Sequence, residues 1–295
     1  MSCAVEQTVE NLPPRGRGAL AQLMRDPMGM TGAVLVVGFI LLAIFAPLLA
    51  PYDPIQIDVR HKFQPPSLAH WAGTDQLGRD MLSRLIWGAR VALGISMTAT
   101  GIAGALGLLL GLVAGFGPRW LDAVLVLFFD SFSSLPMIMF ALAVITVLGP
   151  GITTLIIVIV LVSVPGYGRL IRAQTLALKG ADYIQAERTI GASSARIILY
   201  HLLPNVVGPL VILLSMDIPV VIMLEAGLSY LNLGVGPPTP SWGNILYDGY
   251  TSLRSAPYMV IAGGIPLILC TLGFTFLGEG LRDALDPKLK LRVAR

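Results

Sequence analysis

The sequence predicts an all-α membrane protein with six transmembrane helices. Three observations carry the prediction. First, 55% of the 295 residues are hydrophobic and only 13% are charged, where a soluble domain carries about 25% charged residues; the mean hydropathy is +0.77. Second, the apolar residues gather in long uncharged runs, and a helix needs about 20 such residues to cross the hydrocarbon core. Third, Lys and Arg fall unevenly between the two sides that those runs define. The net charge of +3 comes without the clustered basic face that a nucleic-acid binder needs, so no nucleic-acid partner is expected.

The first span runs from Met28 to Leu49, inside an uncharged stretch between Asp26 and Asp53. Its apolar run exceeds the core of a cleaved signal peptide, about 7–15 residues. The second lies between Arg90 and Arg119. The third runs from Asp122 to Leu148, interrupted by Asp130, and ends at the turn signal Gly149-Pro150-Gly151. The fourth covers Ile152 to Tyr167, the fifth Val206 to Leu224 with Asp217 inside it, and the sixth Pro257 to Leu277. With the N-terminus inside, the inner segments carry 14 of the Lys and Arg residues and the outer segments 6. The positive-inside rule then places both termini in the cytoplasm.

Between the spans, residues 51–73 are rich in proline and polar groups, which keeps the chain extended. From Leu77 the pattern becomes helical. Leu77, Met81, Leu82, Leu85, Ile86 and Ala89 recur at helical spacing with charged residues between them. This reads as an amphipathic helix lying at the interface and leading into the second span, with Thr74 or Asp75 as its cap. The segment from Gly168 to Asn205 is too long for a turn. Tyr183, Ala186 and Ile190 share one helical face, Gly191 ends that helix, and Ser193 or Ser194 caps a second short helix before Pro204. A membrane protein that folds such a unit in water offers a docking surface, or else a solvated connector. The segment Ser229 to Pro257 holds Gly234, Gly236, Pro237, Pro238 and Pro240, with Trp242, Tyr247, Tyr250 and Tyr258. It reads either as part of an outer gate or as a loop with a belt of aromatic residues at headgroup level.

Catalytic chemistry is not visible. His61, His70 and His201 join no nucleophile motif, and Cys3 and Cys270 join no disulfide or metal pattern. No phosphate-binding loop of the G-x-x-x-x-G-K-[ST] type occurs, so no enzyme activity and no cofactor are expected of this chain. The glycines from Gly101 to Gly117 lie within a span, where small residues let helices approach closely. Asp130 and Asp217 are the expensive residues, each costing about 2.5–3.5 kcal/mol at the bilayer centre. Asp130 is followed by Ser131, Ser133, Ser134 and Pro136, which makes a polar, bendable half-span. Asp130, Ser133, Ser134 and Asp217 are candidates for a translocation path, with structural hydrogen bonding as the alternative.

The loop around Gly191 resembles the signature loop of binding-protein-dependent ABC importer permeases, E-A-A, three residues, Gly, nine residues, I-x-L-P. Here the matching residues are Gln185-Ala186-Glu187, Gly191 and His201-Leu202-Leu203-Pro204. Gln185 stands in place of Glu, Glu187 in place of the second Ala, and His201 in place of Ile. Three further stretches resemble the dipeptide/oligopeptide/nickel permeases of the C type: Gly73-Thr74-Asp75-Gln76-Leu77-Gly78-Arg79-Asp80, Pro237-Pro238-Thr239-Pro240-Ser241-Trp242-Gly243, and Leu277-Gly278-Glu279-Gly280-Leu281-Arg282-Asp283-Ala284-Leu285-Asp286-Pro287.

The resemblance implies a type I (MetI-like) transmembrane domain in the bacterial inner membrane with an extra N-terminal helix. The chain divides into a cytoplasmic tail (1–27), a first helix (28–50), an outer loop (51–89), the transmembrane domain (90–281) and a cytoplasmic tail (282–295). It implies a homologous permease as partner, two ATP-binding subunits that hydrolyse ATP, and an extracytoplasmic solute-binding protein. Relatives carry dipeptides, oligopeptides, glutathione, nickel complexes, sugars or opines. The coupling loop would comprise Tyr183, Gln185, Ala186, Glu187, Ile190, Gly191, Leu203 and Pro204. The competing reading is a secondary transporter using Asp130 and Asp217 as ion sites.

Overall fold

The computed structural model describes residues 23–24 and 26–285. Its helices are α1 (Pro27–Ile44), α2 (Ala46–Leu49), α3 (Met81–Phe116), α4 (Arg119–Ser133), α5 (Met137–Leu148), α6 (Ile152–Lys179), α7 (Asp182–Thr189), α8 (Ser194–Ile197), α9 (Leu203–Tyr230), α10 (Trp242–Thr251) and α11 (Tyr258–Leu285). A π-turn, Ile198–Leu202, joins α8 to α9. The tail cations Arg15, Arg17, Arg25, Lys288, Lys290, Arg292 and Arg295, on which the orientation partly rests, lie outside the described residues.

Five helices are long and apolar enough to cross a membrane: α1, α3, α6, the run from Ser194 to Tyr230, and α11. The sixth span is the pair α4–α5, bent by 91°. The packing of α3 on α6 shows that this pair carries the chain across. Gly107, Gly111 and Gly115 approach Tyr167, Ile171 and Thr175 in that order, and a Cβ on any of them would come within 2.5–2.6 Å of those side chains. Both series rise together, so α3 and α6 run parallel. Two parallel helices need a return crossing between them, and only α4 and α5 lie there. The expectation that these glycines serve close approach holds.

The bundle is built inside out relative to a soluble core. The buried side of α3 is mostly Ala, Gly and Ser, while Met97, Ile102, Leu106, Leu109 and Val113 point outward. Lipid tails are as apolar as leucine, so close packing of small residues, not removal of apolar surface from lipid, draws these helices together. Gly32 of α1 packs against the backbone at Gly273 and Leu277 of α11 in the same way.

Four sequence expectations are corrected. The amphipathic helix is not a separate interfacial element but the first turns of α3, a single helix about 54 Å long at 1.5 Å per residue; the boundary at 89/90 falls inside it. Neither Thr74 nor Asp75 caps it: Asp80 does, accepting from the Ser83 amide at 2.8 Å. The fourth span does not stop at Tyr167, since α6 stays helical to Lys179, and the boundary at 281/282 likewise falls inside α11. Trp242 does not face the headgroups. It is fully buried, and its indole donates to the Leu85 carbonyl at 3.0 Å.

Residues 51–80 form a strap folded over this end of the bundle. Gly78 sits in the strap at φ +74°, where an added Cβ would lie 1.7 Å from the Asp58 carbonyl oxygen. Gly78→Ala is therefore expected to destabilise by about 3 kcal/mol or more, from clash and left-handed strain together. Thermal unfolding of the purified protein in detergent measures this. Gly38→Ala is the matched control, because nothing lies within 4 Å of that Cβ.

Candidate coupling loop and translocation path

α7 is a two-turn helix that leaves α6 after Gly180. Asp182 lies in its first turn and Arg188 in its last, each favourably placed for the helix dipole. Its end is a Schellman motif: the Ala192 amide donates to the Glu187 carbonyl at 3.0 Å, and the Gly191 amide to Arg188 at 3.1 Å. The motif requires a left-handed residue at its centre, and Gly191 supplies it at φ +84°. Ser193 then caps α8, accepting from the Arg196 amide.

One face of α7 is tied down. Ile184 is fully buried in the main core with Ile197 and Leu202. The Arg188 guanidinium stacks 5.2 Å from the Phe116 ring, at the end of α3. Lys179 donates to the last carbonyls of α3, those of Gly115 and Phe116, at 3.3 and 3.1 Å, a favourable place for a cation. Gln185 donates to the Lys179 carbonyl at 3.3 Å. Glu187 meets His201 at 3.5 Å, and the Tyr183 ring lies 6.2 Å from His201. Two of the three departures from the family motif thus touch each other, joining α7 to the π-turn below α9.

The opposite face is apolar and bare. Tyr183 is 45% and Ile190 79% exposed, and Ala186 between them is exposed as well. The i, i+3, i+7 face read from the sequence is the outward one. Leu203 opens α9, half-buried on the main core. Pro204 lies at the start of α9, directly after the π-turn.

The candidate path residues fall into two groups. Asp130 and Ser133 gather around Arg169 of α6, whose guanidinium reaches Asp130 at 3.2 Å and donates to the Ser133 hydroxyl. Ser134 instead donates to the Ser131 carbonyl and closes the last turn of α4. Nearby, Arg172 clamps Asp122 with two N–H···O bonds, a pair the sequence reading missed; its signal was two cations on α6 and two acids on α4. Asp217 stands apart, midway along α9. It lines a cavity of about 390 Å³ with Ser163, Gly166 and Tyr167 of α6 and Met137 at the bend. Tyr167 is 1% exposed, and its hydroxyl faces Asp217 without closing a hydrogen bond.

This architecture has known relatives. Residues 107–291 match the family described as binding-protein-dependent transport system inner membrane component. Residues 15–66 match the N-terminal transmembrane domain of oligopeptide transport permease C. The chain belongs to the binding-protein-dependent ABC importer permeases. It is 38% identical to the dipeptide transport system permease protein DppC of Alkalihalophilus pseudofirmus, across 93% of this chain and 90% of the relative. It is 42% identical to the glutathione transport system permease protein GsiD of Escherichia coli, across 90% and 88%. The methionine ABC transporter MetNI, solved in inward-facing conformations, shares the fold at a TM-score of 0.57 and 18% identity, covering 70% of this chain and 98% of that one.

The permease is a multi-pass inner-membrane protein and a transport component. Family membership favours the ABC importer over the secondary transporter left open by the sequence. The strap end holds features the sequence reading undervalued. At the strap end of the permease, Asp75 is fully buried and accepts from Arg79 at 2.6 Å and from Arg84, while Asp248 of α10 closes the cluster at 3.4–3.6 Å. His70 meets Asp80 at 2.9 Å beside it. Of the charges expected on the solvent face of an interfacial helix, Arg79, Asp80 and Arg84 are turned inward and paired, while Arg90 is exposed over the Trp87 ring.

Proposed function

We propose that this permease forms half of the translocation path of an ATP-driven importer for dipeptides or a similar small solute bearing an amine. A homologous permease supplies the other half, an extracytoplasmic binding protein delivers the solute, and two ATP-binding subunits hydrolyse ATP. The chain itself binds no cofactor in this reading. Dipeptide and glutathione are the solutes named for the relatives above, and they set the substrate class. Both termini are cytoplasmic in this reading. The even number of crossings and the excess of inner Lys and Arg support that orientation.

The observation that carries the proposal is the bare apolar face of α7. Tyr183, Ala186 and Ile190 project from the end of the bundle on a short helix and its C-cap, whose other face is tied to α3, α6 and the π-turn before α9. An ATPase seated there would push a rigid lever rather than a loose loop, and would bias a two-state bundle through it. Gln185, Glu187 and Gly191 hold the lever's shape, and Leu203 and Pro204 carry its motion into α9.

Asp130 and Ser133 meet Arg169 of α6, and Asp217 lines the cavity between α6 and α9. Ionisable residues at membrane depth face protein interior or water, not lipid. In this reading Asp130, Ser133, Ser134 and Asp217 belong to the path or to the contact with the partner permease.

The test is recovery of partners on the tagged chain from detergent-solubilised membranes. The wild type is expected to bring a second permease and one or two ATPases. Tyr183→Glu with Ile190→Asp is expected to keep the permease and lose the ATPases at least tenfold, since each apolar side chain buried on docking is worth about 1.5–3 kcal/mol. Undiminished ATPase recovery would place the docking surface elsewhere.

A further inference from the structure

The cavity beside Asp217 has a composition that selects its occupant. Its lining holds one charged side chain, Asp217, and two hydroxyls, those of Ser163 and Tyr167; the rest is apolar or glycine. Among the described residues no cation pairs with Asp217, and the nearby Arg169 is already engaged by Asp130 and Ser133. The Tyr167 hydroxyl is buried and unpartnered. Prolines 165 and 219 lie inside the two helices that wall the cavity. The site therefore offers one carboxylate and two hydroxyls, and no competing cation. At about 390 Å³ it falls within the range of small-molecule pockets, roughly 300–1,000 Å³.

An α-ammonium group matches this arrangement. It brings one positive charge and three N–H donors, as a lysine head does, and it answers the carboxylate and the two hydroxyls together. We infer that Asp217 and Tyr167 form a subsite, midway across the membrane, for the free α-ammonium of the solute in transit. The inference rests on the path reading above and deepens it. Dipeptides and glutathione both carry that group. The subsite would let the permease pass amine-bearing solutes after the binding protein has released them.

The experiment uses the assembled transporter in proteoliposomes, with Cys3 and Cys270 replaced by alanine and Ser163→Cys as reporter. Methanethiosulfonate reagents bearing trimethylammonium or sulfonate probe the cavity, with and without ATP. The expected result is labelling in one of those states with the cationic reagent preferred, and loss of that preference by about tenfold or more in Asp217→Asn, the size of one charge-assisted hydrogen bond. Asp217→Glu is expected to retain it. Millimolar dialanine should slow labelling where N-acetyl-dialanine does not.

Labelling without charge preference, or equal effects of the two peptides, would overturn the ammonium subsite and leave the path standing. No labelling in any state would overturn the path reading and the subsite with it. Loss of the partner permease from Asp217→Asn alone would mean that Asp217 pairs with a cation of that subunit, and would also overturn the inference.

Discussion

Gly191→Pro is expected to abolish solute uptake and to cut co-purification of the ATPases at least tenfold. Two effects combine. Proline fixes φ near −65°, while residue 191 sits at +84°, so the chain cannot leave α7 in its present direction. Proline also removes the amide that donates to the Arg188 carbonyl at 3.1 Å, half of the Schellman closure. The exposed face of Tyr183, Ala186 and Ile190 would then be presented on a helix with a different exit and a frayed end. Gly191→Ala separates the causes. Nothing lies within 4 Å of an added Cβ there, so alanine costs only the left-handed strain, about 1–2 kcal/mol. The expected order is wild type, then a modest loss for alanine, then loss of function for proline, read by uptake and by pull-down on the same preparations. Intact uptake and assembly in Gly191→Pro would remove the coupling role from this loop.

Much of this was legible in the sequence because the bilayer enforces simple rules. Uncharged runs long enough to span had to be helices, and Gly104, Gly107, Gly111 and Gly115 of α3 serve close packing, while Gly101 faces open space. The face of Tyr183, Ala186 and Ile190 followed from helical period alone. What was not legible depended on which neighbour a polar residue meets. Arg79, Asp80 and Arg84 have the spacing of a solvated helix face, and period cannot tell a charge facing water from one facing Asp75 or Asp248. Only the strap folding back over α3 decides it. Similarly, Gly168, Arg169 and Arg172 looked like the end of a span. They stay helical, and Arg169 and Arg172 meet Asp130 and Asp122 on α4. The contact of Glu187 with His201 was hidden because both read separately as departures from a motif. In the fold they lie side by side.

Asp75→Ala is expected to be the most destabilising substitution at the strap end of the permease, by about 3–5 kcal/mol, the cost of stranding a buried partner. Asp75 is fully buried and serves as the near anion for two guanidiniums, Arg79 at 8% and Arg84 at 3% side-chain exposure. Removal of the carboxylate leaves two cations facing each other out of water. Asp248 cannot replace it. It stands at 3.4–3.6 Å, on a helix fixed by Trp242, and is itself 19% exposed. Asp75 also accepts from the backbone amides of Leu77 and Arg79 at 2.9 Å, so the turn that positions Gly78 would lose its anchor as well. Asp248→Ala removes longer contacts nearer water and should cost much less, about 1 kcal/mol. The double variant Arg84→Met with Asp75→Asn discriminates further. If the penalty comes from stranded charge, replacing the deeper cation by an apolar side chain should recover part of the loss. If it comes from the turn, the double variant should be no better than Asp75→Asn alone. Thermal unfolding of the purified complex, compared across the four variants, reads both terms.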